Sequence, residues 1–178
     1  ARDKDGAVAA MVLCELAAEL KSRNQTLVRR LEELFQEHGL HEEAAFSIDL
    51  PGERGMQLMQ ELMQRFRSEP PGELGGQKVI SIHDLNQPID VDPADEWAYA
   101  MAAARRGNVV VLDLDDRGDN RVAVRPSGTE PKCKFYIFGY VSPSAIGDLG
   151  RTRKQLQGQL KLVADDLRRY ALQQVSHQ

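Results

Sequence analysis

Three runs in the second half of the chain, "NVVVLDL" (108–114), "NRVAVR" (120–125) and "CKFYIFGYV" (133–141), do most to restrict how it can fold. β-Branched and aromatic residues crowd them, as pleated surfaces prefer. "DDRGD" (115–119) between the first two is hairpin punctuation. A long helix is expected over 151–175, with Leu156, Leu160, Val163, Leu167 and Ala171 along one side. Closely spaced strands followed by a helix point to a sheet covered by helices.

The rest of the chain fits that frame. Helical spacing of Val8, Met11, Val12, Leu16 and Leu20 predicts a helix over 5–23, with Asp5 as N-cap. A second helix is expected over 26–38, capped by Thr26, striped by Leu27, Leu31, Leu34 and Phe35, and stopped by Gly39. "AAFSIDL" (44–50) reads as a strand, and about 52–68 as a third helix with Met56, Met59, Leu62, Met63 and Phe66 facing inward. That methionine stripe reads as core in preference to a partner groove. Pro70, Pro71, Gly72, Gly75 and Gly76 make a turn-rich connector, and "KVISIHDL" (78–85) alternates as a strand. Residues 86–107 are irregular, with one short helix expected in "PADEWAYAMAAARR", capped near Asp92. The order predicts an α+β fold, an antiparallel sheet flanked by helices. The first two helices stand apart, as the end of a preceding domain.

Charge and cysteine content narrow the function classes. The net charge is −4, with 23 cations spread among 27 anions, and no one-sided basic patch suggests a nucleic-acid partner. Cys14 and Cys133 both read as buried thiols, which makes a reducing cytoplasm the expected compartment. No apolar run approaches the roughly 18 residues that span a bilayer, and no signal peptide is expected. The start, "ARDKDGAVAAMVLCEL", has no initiator Met and reads as a chain cut from something longer.

Most chemistry-bearing residue types give no pattern. "DLDDRGDN" (113–120) begins like a calcium loop, but Val124 stands where the twelfth-position Glu belongs, so the run reads as a hairpin turn. The same holds for its Arg117-Gly118-Asp119 tripeptide. His38, His41, His83 and His177 lack metal-ligand spacing. No Ser sits in a G-x-S-x-G elbow, which argues against a Ser/His/Asp hydrolase. The cations of the last helix are interrupted by Asp165 and Asp166 and read as a solvated face.

The exception is "RPSGTEPKCK" (125–134). About seven residues are expected between its flanking strands, longer than an ordinary hairpin needs. Gly128 can take a positive φ, allowing consecutive backbone N–H groups to form a concave anion nest. Ser127 and Thr129 add hydroxyl donors. Arg125 offers a two-pronged guanidinium matched to phosphate, and Lys134 can return from the next strand to the same anion. Pro126 and Pro131 stiffen both shoulders. The competing reading is a long surface turn. A Walker loop is excluded because G-x-x-x-x-G-K-[ST] is absent.

R-P-S-G-T-E-P-K followed by an apolar aromatic strand resembles the phosphate-binding loop of the α-D-phosphohexomutase superfamily, the phosphoglucomutases and phosphomannomutases. "RDKDG" (2–6) leading into an apolar helix resembles the segment near the end of that family's third domain. The resemblance implies that 1–41 closes the third domain and that 42–178 forms the fourth, a TATA-binding-protein-like antiparallel sheet with flanking helices. It implies an enzyme that interconverts hexose 1-phosphate and hexose 6-phosphate through a phosphoserine and a hexose 1,6-bisphosphate, with Mg²⁺. Carried over residue by residue, Arg125, Ser127, Gly128, Thr129 and Lys134 would hold the phosphate that is not transferred. Lys stands at 134 where the family often has Arg, keeping the charge but losing the fork. Lys4 matches a lysine that approaches substrate.

The family's T-A-S-H-N-P nucleophile loop, D-G-D-x-D-R metal loop and G-E-E-S-G sugar-selecting loop are not in this sequence. The chain alone is therefore expected to bind phosphate weakly, to catalyse nothing, and to have as partners a sugar phosphate and the N-terminal domains of the same enzyme, with no nucleic acid or membrane. The alternative is a standalone sugar-phosphate-binding or protein-interaction module.

Overall fold

A computed structural model describes residues 5–87 and 106–176. Within them the elements run α1 (Gly6–Ser22), α2 (Leu27–His38), β1 (Leu40–Asp49), α3 (Gly55–Ser68), β2 (Glu73–Leu74), β3 (Gln77–Lys78), β4 (Ser81–Asp84), β5 (Val110–Asp113), β6 (Arg121–Pro126) and β7 (Lys132–Val141). A 3₁₀ turn (Pro143–Ala145) and the last helix, α4 (Leu149–Ser176), follow. The helix expected within 93–106 lies outside the described residues, apart from Arg106.

The fold is α+β, built on a five-stranded sheet in the order β1-β7-β6-β5-β4. The β4–β5, β5–β6 and β6–β7 pairs are antiparallel. β1 lies antiparallel to β7: at one end the Leu50 N–H donates to the Pro131 carbonyl at 2.8 Å, and at the other His41 meets Tyr140 with ring centroids 4.7 Å apart.

Alternation along the strands separates two faces. Val110, Leu112, Val122, Val124, Cys133, Phe135 and Ile137 are buried in one cluster with Met59, Leu62, Met63 and Phe66 of α3 and Leu160, Val163, Leu167 and Ala171 of α4. Each such large side chain contributes roughly 2 kcal/mol on leaving water. Arg121, Arg125 and Lys134 stand on the opposite, exposed side of the same strands.

Contacts divide the chain into two compact units, one of Ala1–Leu40 with Val141–Thr152, the other of His41–Tyr140 with Arg153–Gln178. The first includes a stretch, 141–152, that the sequence gives no reason to group with the N-terminal helices. There α2 packs on the Pro143–Ala145 turn. The helix caps are as read from sequence. Asp5 accepts from the Val8 N–H at 2.9 Å, and Thr26 from that of Arg29 at 3.1 Å. Gly39 ends α2 at φ 102°, where a side chain would be strained.

Three local expectations are corrected. β1 begins at Leu40, four residues before the expected strand, because its polar start is held by partners: Glu42 pairs with Arg153 and accepts from Gln157 at 3.1 Å. The 70–76 connector contributes to a small hairpin, β2–β3, whose Gly75 N–H and carbonyl are bonded by Asp166 and Gln159 of α4. In α1 only Leu20 is buried, while Val8, Met11, Val12 and Leu13 are each more than half exposed. Cys14 is exposed with them, contrary to the expectation of two buried thiols; Cys133 is buried, which pushes its thiol up to about 12.

Candidate functional site

β6 carries Arg125 to the mouth of a cleft of about 540 Å³, and the chain continues along its wall through Pro126, Ser127 and Gly128. Arg106–Val109, the approach to β5, and Met56, Met59, Gln60 and Met63 of α3 complete the lining. Arg67 of α3 joins these parts. Its Nε donates to Asp84 Oδ2 at 3.0 Å, and another guanidinium nitrogen donates to Asn108 Oδ1 at 2.6 Å. Partial burial alone would raise the Asp84 carboxyl, but the Arg67 bond, the Asn86 N–H and the Arg67 charge together hold it below the usual range.

α3 is set against the loop by close packing. A Cβ at Gly55 would lie 1.8 Å from the Leu50 carbonyl oxygen and 2.9 Å from Pro131 Cβ. Only glycine lets the helix start so near the loop's far shoulder, and Met56, the next residue, lines the cleft. No side chain caps this helix start, so its positive dipole end is available to the surroundings.

The loop itself departs from the expected form in length and backbone. β6 ends at Pro126 and β7 starts at Lys132, leaving five residues, an ordinary hairpin length. Its composition therefore carries the functional signal. Gly128 does not have a positive φ. A Cβ there would meet nothing within 4 Å, so the free loop leaves room at that position for a ligand to approach the backbone. The Ser127 N–H closes the hairpin on the Lys132 carbonyl at 2.8 Å, which removes it from any nest. The Thr129 N–H lies 3.5 Å from Ser127 Oγ, too far for a strong bond. Among the described residues no acceptor meets the Gly128 N–H. The donors left for an anion are thus the Gly128 and Thr129 amides and the hydroxyls, a narrower set than a run of consecutive N–H groups.

The cations also divide. Lys132 is ion-paired with Glu130, which raises the lysine and lowers the carboxyl. Arg125 and Lys134 sit directly opposite each other across the β6–β7 ladder, and neither has a carboxylate partner among the described residues. Arg125, Ser127 and Gly128 line the cleft, whereas Thr129 and Lys134 do not. Lys4 lies outside the described residues. Arg106 was not identified from sequence, since only the return of the chain before β5 brings it to the cleft.

Other chemistry-bearing groups are accounted for structurally. Ser81, His83 and Asp113 do come together, but Ser81 Oγ and His83 Nε2 both lie 2.8 Å from the same oxygen, Asp113 Oδ2. A hydrolytic relay needs the imidazole between hydroxyl and carboxylate, one nitrogen for each. Here one nitrogen faces both, so Ser81 has no base. Asp115 fills its oxygens with the N–H groups of Arg117, Asp119 and Asn120 and the Asn120 side chain, making the hairpin its role. Among the described residues no group of three His, Cys, Asp or Glu side chains could hold a metal ion. The loop to which the resemblance assigns Mg²⁺, D-G-D-x-D-R, is not in this sequence.

The fold and cleft define an α+β domain that presents a cation-bearing hairpin loop at an open cleft lined in part by methionines. Residues 92–150 match the phosphoglucomutase/phosphomannomutase C-terminal domain family. Over those residues the chain carries that family's C-terminal domain. Phosphoglucomutases of Staphylococcus aureus strains MRSA252 and USA300 are each 36% identical over 136 residues, covering 76% of this chain and 24% of theirs. The chain thus spans about a quarter of the length of these relatives. The open form of pp63/parafusin, a phosphoglucomutase from Paramecium, shares the fold with a TM-score of 0.50 at 18% identity, over 98% of this chain and 27% of that one. No helix among the described residues is long and apolar enough to cross a membrane.

Proposed function

We propose that the 125–134 hairpin grips the phosphate of a sugar phosphate on behalf of a phosphohexomutase. The observation that carries this reading is a guanidinium, Arg125, without a carboxylate partner among the described residues, lining an open cleft beside Ser127 and Gly128. Arg125 supplies a forked donor and permanent charge. The Gly128 and Thr129 amides and the hydroxyls of Ser127 and Thr129 bind the remaining oxygens, and Lys134 adds charge from across the ladder.

In the whole enzyme this grip holds the non-reacting phosphate while the other end exchanges a phosphoryl group with a phosphoserine. The product is a hexose 1,6-bisphosphate that turns over and returns a phosphoryl group, interconverting hexose 1-phosphate and hexose 6-phosphate. The nucleophile and Mg²⁺ belong to parts that this sequence does not contain. The 1–41 segment closes the preceding domain, Lys4 reaches toward the same substrate, and the enzyme works in the cytoplasm.

Titrating the chain with glucose 1-phosphate while following its amide resonances tests the reading. Gly128 and Thr129 are expected to shift first and to saturate. A titration that leaves both amides unmoved overturns the assignment and favours a hairpin that serves only as a turn.

A further inference from the structure

The cleft that Arg125 lines has a second arginine in its lining, Arg106, that the loop does not include. We infer that Arg106 is a further binding residue for the same phosphate, so that two arginines of one cleft hold the anion; this rests on the phosphate reading of the cleft.

Arg106 is exposed and lines the cleft with Arg125. Neither has a carboxylate partner among the described residues, although Arg65, Arg67, Lys132 and Arg153 of the same unit each meet one. Two arginines lining one cleft repel each other, and an anion bound by both offsets that repulsion.

The stretch that follows Arg106 is pinned to its neighbours. The Gly107 N–H donates to the Leu85 carbonyl at 3.1 Å, the Leu85 N–H donates to the Val109 carbonyl at 2.9 Å, and Arg67 holds the Asn108 side chain. Arg106 is the residue next to this pinned stretch. The ligand class that fits is a phosphate monoester, with its dianion between the two guanidiniums and C–H groups over Met56 and Met59.

Calorimetric titration of the whole chain with glucose 1-phosphate and with inorganic phosphate, at fixed low ionic strength, tests this. Arg106→Gln is expected to weaken both ligands by about fivefold or more, and Arg106→Lys to recover part of that loss. Arg117→Gln, which removes one charge from the distant hairpin, is expected to change binding by less than about twofold. The Gly107 amide is expected to shift together with those of Gly128 and Thr129. If Arg125→Ala abolishes binding while Arg106→Gln matches Arg117→Gln, the Arg106 inference falls and the loop reading stands. If the unaltered chain binds neither ligand, both fall together.

Discussion

At the residue scale, Arg125 is exposed and makes no ion pair with a described residue, so its removal should cost the fold little. Arg125→Ala is expected to leave stability within about 0.5 kcal/mol. In a full-length phosphohexomutase carrying the same loop, the change is expected to raise KM at least about tenfold and to lower kcat as well, because energy from holding the remote phosphate positions the reacting end. Steady-state kinetics with both hexose phosphates checks this, and unchanged constants would reject the role. Binding should strengthen as pH rises through about 6, where a phosphate monoester gains its second charge while arginine stays protonated. Calorimetry from pH 5 to 8 reads that dependence. Asp115 is a residue of the opposite kind, built into the fold by four donors at one turn. Asp115→Ala strands those donors and is expected to cost about 1–3 kcal/mol in urea unfolding, with phosphate binding unchanged.

At the element scale, the start of α3 and the β6–β7 hairpin touch through Gly55, so helix and loop cannot be varied independently. Gly55→Ala would push a methyl into the Leu50 carbonyl. It is expected to destabilise by about 3 kcal/mol and to weaken phosphate binding; thermal unfolding together with the titration checks both effects. The strands were legible because β-branched and aromatic residues alternate along 108–141, and α1 and α2 because Asp5, Thr26 and Gly39 mark their ends. The start of β1 was hidden because Glu42 and His41 are satisfied by residues about a hundred positions away. The loop's composition was legible, but its backbone was not. Gly128 permits a positive φ without requiring one, and the Ser127 N–H is taken by the ladder. Arg106 escaped notice because a lone cation before a strand carries no local signal.

At the scale of the whole molecule, the apolar side of α1 lies open, with Met11 72% exposed. Such a surface on an isolated chain favours association. Sedimentation is expected to show concentration-dependent self-association that Met11→Glu with Val12→Lys suppresses. A monomer at all concentrations would contradict this. Stability should fall in acid, with the sign set by two carboxyls. Asp84 and Asp115 are held below their ordinary value of 3.8, so their contribution is complete above about pH 4 and is lost as pH drops through their folded values. Melting from pH 2.5 to 6 reads this: Asp115→Asn is expected to flatten the acid limb relative to the unaltered chain, and equal slopes in the two would contradict the linkage. The two thiols offer a gauge of folding. Cys14 is open to solvent, whereas Cys133 is buried opposite Pro126 at the base of the β6–β7 hairpin. With its thiolate suppressed, Cys133 should take up a maleimide only when the hairpin detaches from the sheet. One sulfur therefore tags at once and supplies the reference, and the delayed second tag times how often the hairpin lifts from its sheet.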